Sequence, residues 1–127
     1  MLTKKARPKH LNLLKIRLPI TGVVSIFHRI TGVILFMSLP FFIYLLALSL
    51  RSADTFQQAA DYLNCGLVKL MAGIFVYAMM HHFFAGIRFL LIDLDIGLSL
   101  KAARASSWLV FALSISLFVV LLVGVVL

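Results

Sequence analysis

Apolar positions along the chain fall into three blocks, Ile30–Leu50, Leu67–Ile87 and Trp108–Leu127, separated by short polar stretches. Each block is roughly 20 residues, or about 30 Å of helix, which matches the hydrocarbon core of a bilayer. Together with the polar residues that lead into them, the blocks predict three membrane-spanning helices, over about residues 22–50, 67–92 and 106–127. The fold class is therefore an all-α membrane protein. Residues 1–127 form a single domain in which residues 1–20 are a basic lead-in.

Composition supports this reading. The chain is 63% hydrophobic and 13% charged, which excludes a soluble globular fold. The net charge of +8 is concentrated. Lys4, Lys5, Arg7, Lys9, Lys15, Arg17 and Arg29 all precede the first block with no acid among them, which places the N-terminus in the cytoplasm. Arg51, Asp54 and Asp61 give the first loop a negative balance and turn it outward. Arg88, Lys101 and Arg104 return the second loop to the cytoplasm, so the uncharged C-terminus finishes in the periplasm. The basic lead-in lies where anionic headgroups would meet it, so membrane lipid, not nucleic acid, is the partner it implies. The first block is too long for a cleaved leader and follows a polar stretch, so no presequence is expected. Cys65, the single cysteine, predicts neither a disulfide nor a metal cluster. It reads as a small apolar residue at the outer end of the second span.

Two places carry polar groups at unusual depth. The first is SIFHRITG, Ser25 to Gly32. Pro19 fixes the backbone just before it, and a helix starts within the next few residues. At 100° per residue, Thr21, Gly22, Ser25, His28, Arg29 and Gly32 share one face, while Val23, Val24, Ile26, Phe27, Ile30 and Val33 cover the other. An arginine snorkelling to lipid phosphate explains the charge alone. The two glycines on the same face imply in addition that a cofactor, a quinone headgroup or another helix approaches the backbone closely.

The second place is MMHHFFAGIRFLLID in the second span. His82 and Gly86 are four residues apart, with Ala78, Ala85, Phe89 and Asp93 in the same sector, whereas His81 points toward the sector of Tyr77 and Arg88. Counted back from Asp93, His82 lies about 16 Å along the helix axis, close to mid-membrane. A histidine there needs a partner, and an interhelical hydrogen bond, a proton path and an axial haem ligand all supply one.

Arg7-Pro8 followed by Ser25, His28, Arg29 and Thr31 resembles the N-terminal signature of the cytochrome b membrane-anchor subunits of succinate dehydrogenase, respiratory complex II. His82, Gly86, Ile87, Arg88 and Asp93 are similar to that family's second signature. Lys9, Phe89 and Asp95 depart from it, and Phe89 stands where many members carry a second histidine.

The resemblance implies an inner-membrane subunit that passes electrons from an iron–sulfur subunit to ubiquinone, while a flavoprotein subunit oxidises succinate. It implies Ser25 and Arg29 as quinone-binding residues, His82 as axial ligand of haem b, and His28 and Arg88 as propionate contacts. The second axial ligand is then expected from a smaller membrane-anchor subunit. The absence of a presequence favours a bacterial membrane. A haemless anchor of a related fumarate reductase and a small transporter are the competing readings. A transporter lacks support from broken helices or an internal repeat.

The remaining residues read as structural. His10 is solvated, His81 is a hydrogen-bonded neighbour of the ligand, and Asp93 terminates its helix. Trp108 anchors the third span at the interface. The serines and Gly124 of that span serve helix packing only.

Overall fold

The computed structural model of the chain describes residues 17–126. Arg7, Pro8, Lys9, His10 and the rest of the basic lead-in before Arg17 lie outside the described residues, as does Leu127. Four helices follow in order: α1 (Ile20–Ser49), α2 (Ala53–Asn64), α3 (Gly66–Asp93) and α4 (Leu100–Val126). Three of them, α1, α3 and α4, are long and apolar enough to cross a membrane. The described residues contain no strand. The all-helical, three-span architecture matches the sequence pattern. The short amphipathic helix α2, inside what read as a loop, does not appear in it.

Each helix boundary has a local cause. Pro19 is extended (φ −65°, ψ 153°) and its carbonyl accepts from the N–H groups of Gly22 and Val23, so α1 begins where the ring fixes the backbone. Pro40 lies inside α1 and cannot donate to the carbonyl four residues back, an interruption that spanning helices tolerate. At α2 a capping box satisfies two orphan donors. The Ser52 hydroxyl accepts from the Thr55 N–H at 3.2 Å, and the Thr55 hydroxyl accepts from the Ser52 N–H at 3.0 Å. Cys65 is exposed and joins α2 to α3 as the residue before Gly66.

α3 ends in a Schellman motif. The Ile96 N–H reaches the Leu91 carbonyl and the Asp95 N–H reaches the Ile92 carbonyl, both at 2.9 Å. This geometry puts Asp95 in the left-handed region, φ 61°, where glycine is the usual occupant.

α3 runs between α1 and α4 and packs on both. Its buried residues, Ala78, His81, Ala85 and Arg88, repeat at intervals of three and four and form one seam. Val24 of α1, Ala85 of α3 and Val110 of α4 meet in the centre, flanked by Phe84, Phe89 and Phe111. On α4 the fully buried Ser107 and Ser114 let the helices approach, and each hydroxyl donates to a carbonyl of its own helix, Ala103 and Val110 respectively. At the other end of the bundle, Ala59 of α2 closes on Leu45 and Leu48 of α1. A Cβ added at Gly124 would meet no described atom within 4 Å. Trp108 is exposed, as an interfacial anchor would be.

The charge balance at the α2 end also differs from the sequence account. Lys69, exposed in the first turn of α3, stands at the same end as Arg51, Asp54 and Asp61. Two cations and two anions make that end neutral, not acidic.

Because Asp95 holds a left-handed conformation, Asp95→Gly should stabilise the α3–α4 connection by about 0.5–1 kcal/mol. Asp95→Val should cost about 1–2 kcal/mol. Thermal unfolding in detergent, followed by helical circular dichroism, should show midpoints that move in opposite directions.

Candidate functional site

The two sequence motifs meet where α1 crosses α3. His28 and Gly32 lie one turn apart on α1, and His82 and Gly86 lie one turn apart on α3. The helices are antiparallel, so each imidazole faces the other helix's glycine. A Cβ added to Gly32 would sit 3.0 Å from His82 Cε1 and 3.4 Å from its Nδ1. One added to Gly86 would sit 3.7 Å from His28 Nε2. The rings themselves stack, with centroids 4.1 Å apart and planes 10° from parallel. Phe89 tilts against the other flank of His28 at 5.1 Å. Phe89 thus occupies space beside the paired histidines, at the position where a second histidine was expected from the family pattern.

His82 is held by its Nδ1. That atom lies 3.0 Å from the His28 backbone carbonyl and 3.4 Å from the Thr31 hydroxyl oxygen. A carbonyl only accepts, so Nδ1 carries the proton and donates it. The single Thr31 hydroxyl proton is shared between the carbonyls of Phe27 and His28, at 2.8 and 3.0 Å, so toward His82 the oxygen can only accept. The lone pair of His82 is therefore on Nε2. This is the form in which imidazole binds a metal, with its other nitrogen donating to a backbone carbonyl.

The stacked rings revise one point of depth. From sequence, His82 belonged to mid-membrane and His28 to a helix end. The structure sets them side by side, because α1 starts at Ile20 and His28 is already two turns inside it. The sequence also offered a signal for this pairing that was passed over. HRITG on α1 and HFFAG on α3 are the same H-x-x-x-G pattern.

His81 and Arg88 occupy the opposite side of α3, in the bundle core. His81 is fully buried, and neither ring nitrogen has a hydrogen-bond partner among the described residues. Its neighbours are the rings of Phe111, Phe27 and Tyr77, at 5.0, 5.7 and 6.2 Å. The aromatic surround leaves His81 no well-formed hydrogen bond among the described residues.

Arg88 is 6% exposed and reaches across to α4. Its Nε donates to the Ser106 hydroxyl at 3.0 Å and its Nη2 to the Ala103 carbonyl at 3.4 Å, with the Phe89 ring 5.3 Å from its Cζ. Nη1 is buried without a partner among the described residues. Two of the three guanidinium nitrogens thus bond to α4, and Nη1 is the one that makes no bond to a described residue. α4, which read as a packing helix without a site, supplies both acceptors. A cleft of about 250 Å³ between α3 and α4 borders Arg88 and Ser106.

Ser25 and Arg29 lie one turn apart on α1, the serine half-buried and the arginine exposed. Neither side chain bonds another described residue. The larger cavity, about 430 Å³, is elsewhere, between α1 and α3 at the α2 end. Its walls, including Met37, Phe41, Leu63 and Phe75, are almost wholly apolar and offer no chemistry. No group of three or more His, Cys, Asp or Glu side chains converges among the described residues.

Comparison with known proteins shows the family. A family model described as succinate dehydrogenase/fumarate reductase transmembrane subunit matches residues 3–121. The chain is 38% identical over 120 residues to the succinate dehydrogenase cytochrome b556 subunit of Coxiella burnetii, covering 94% of each protein. It is 34% identical to the cytochrome b556 subunit of Rickettsia felis over 118 residues, 93% of this chain and 90% of that one. With the cytochrome b556 subunit of Paracoccus denitrificans it shares 30% over 117 residues, 92% of this chain and 90% of that one. Spans, paired motifs and near full-length similarity together place this chain in the succinate dehydrogenase/fumarate reductase transmembrane subunit family.

Proposed function

We propose that this chain is the haem b- and ubiquinone-binding membrane anchor of a succinate dehydrogenase, carrying electrons from an iron–sulfur subunit to ubiquinone. The observation that carries the reading is His82: a half-buried imidazole inside a spanning helix, fixed through Nδ1 to a backbone carbonyl and so presenting an unprotonated Nε2. That donor set fits an axial haem ligand. Bound haem supplies a one-electron relay. A second ligand would come from the smaller membrane-anchor subunit, and a separate flavoprotein subunit would oxidise succinate.

Around this ligand the polar residues take complementary tasks. His28, stacked on His82, and Arg88, through the one guanidinium nitrogen not bonded to α4, receive the haem carboxylates. An anion at Arg88 Nη1 would relieve a buried cationic donor that otherwise costs free energy. Ser25 donates its hydroxyl proton to a quinone carbonyl oxygen. Arg29, one turn on, stabilises the negative charge that grows on that oxygen as the ring is reduced. The exposure of Arg29 suits a site that quinone enters from the bilayer.

The membrane is the inner membrane of a bacterium, in keeping with the bacterial relatives. The N-terminus is cytoplasmic and the C-terminus periplasmic, since the basic lead-in, Lys101 and Arg104 outweigh the neutral α2 end. A reporter joined after Leu127 should report the periplasm and one inserted between Asp95 and Arg104 the cytoplasm. The reverse pattern would invert the orientation.

The central test is spectroscopic. The purified complex should show a reduced-minus-oxidised b-type spectrum that His82→Ala abolishes or alters. His81→Leu should leave it unchanged and should not lower stability, because it removes two unpartnered buried nitrogens at similar volume. A complex without the spectrum is the haemless anchor instead.

The quinone assignment is tested by Arg29→Leu, which retains bulk and removes charge. Loss of about 2–4 kcal/mol of transition-state stabilisation corresponds to a fall of roughly 30- to 1000-fold in quinone reduction. Succinate oxidation by a soluble dye that accepts electrons upstream should continue. Normal rates with both acceptors would make Arg29 a lipid-facing anchor.

A further inference from the structure

A ligand imidazole must be aimed as well as present, and three features of α1 converge on His82. Its Nδ1 is 3.0 Å from the His28 carbonyl. One ring face is covered by the His28 imidazole, with centroids 4.1 Å apart. The edge bearing Cε1, the carbon between the two nitrogens, lies against the bare α-carbon of Gly32, where any Cβ would intrude to 3.0 Å. The corresponding contact at Gly86 is looser, 3.7 Å, an ordinary van der Waals distance. The two H-x-x-x-G motifs therefore differ in how closely the helices approach, and the tight one is on α1.

The geometry points to Gly32 and the His28 backbone carbonyl as positioning residues for the His82 ligand: the glycine admits the ring edge and the carbonyl fixes its tautomer and orientation. This inference rests on the haem-binding reading above and adds the part of α1 that sets the ligand. The effect on the metal follows from the hydrogen bond. A carbonyl that accepts from Nδ1 makes the imidazole a stronger donor at Nε2 and favours ferric over ferrous iron. At Gly32 a methyl group would push on Cε1 and Nδ1, move the ring away from the His28 carbonyl and weaken that preference.

Two experiments read this contact in the assembled complex. In the first, Gly32→Ala and Gly86→Ala are compared. Gly32→Ala should weaken haem retention about 10- to 100-fold, the usual effect of losing an outer hydrogen-bonding partner. In the haem that remains, the potential should rise. A tenfold loss of ferric preference corresponds to about 59 mV for one electron. Gly86→Ala should leave spectrum and potential as they were.

In the second, His82→Gly opens a cavity that is titrated with imidazole and with 1-methylimidazole. Imidazole can ligate iron and still donate an N–H to the His28 carbonyl, whereas 1-methylimidazole cannot. Imidazole should therefore restore the low-spin spectrum at about a tenth to a hundredth of the concentration. This experiment decides the matter even if Gly32→Ala fails to assemble. Equal restoration by the two ligands, or an unshifted potential in an assembled Gly32→Ala complex, overturns the positioning role while leaving His82 as ligand. A His82→Gly complex whose spectrum matches the unaltered one overturns the haem-ligand reading itself.

Discussion

The contact on which the site depends is the close approach of α1 and α3 at Gly32 and His82. In lipid, two apolar helices gain little from hiding their side chains from water, so association rests on close contact and interhelical hydrogen bonds. Gly32 provides both conditions. Without a side chain it lets the imidazole of the neighbouring helix lie against its backbone, and that approach brings Nδ1 within 3.0 Å of the His28 carbonyl. The carbonyl is already part of the α1 helical ladder and lies 3.0 Å from the Thr31 hydroxyl, and it accepts from His82 as well. A polar side chain at membrane depth is thus satisfied by backbone, and the nitrogen that remains is left for chemistry.

The other face of α3 is built differently. His81 and Arg88 stand in the same seam as Ala78 and Ala85, and the small residues draw α4 close enough for Ser106 and Ala103 to receive the guanidinium. Adjacent histidines on one helix thereby reach opposite environments. His82 lies against α1 with a defined donor geometry, while His81 is enclosed by aromatic rings, its nitrogens without a partner among the described residues. An unmade hydrogen bond of this kind costs about 1–3 kcal/mol. The three-helix unit is also thin. Large apolar residues such as Phe36, Met37, Ile43 and Leu90 remain exposed on it, which is how a chain surrounded by lipid and partner subunits is expected to look.

Much of this was legible in the sequence. Three apolar blocks of bilayer length specify three spans, because in hydrocarbon a helix is the one local structure that satisfies its own backbone. The same amino acids pointed to Ser25, His28, Arg29, His82 and Arg88, since ionisable groups at such depth are costly unless they serve a purpose. α2 was hidden because its apolar face is only four residues, Phe56, Ala59, Ala60 and Leu63, inside a segment whose average is neither apolar nor polar. Its capping box, Ser52 with Thr55, uses a threonine in place of the commoner glutamate or glutamine.

By itself, the sequence determined the number of spans, the paired motifs and which side chains are chemically out of place in lipid. Those properties follow from composition and local periodicity. Only the tertiary structure decided which residues meet. A helical wheel gives the direction of a side chain but not the depth at which two helices cross. It therefore could not show that His28 and His82 lie level, that Gly32 rather than Gly86 makes the tight contact, or that Arg88 turns to α4. Those facts depend on the offset of one helix against another, which is set by the fit of small residues such as Gly32, Ala85, Ser107 and Ser114 across the interfaces.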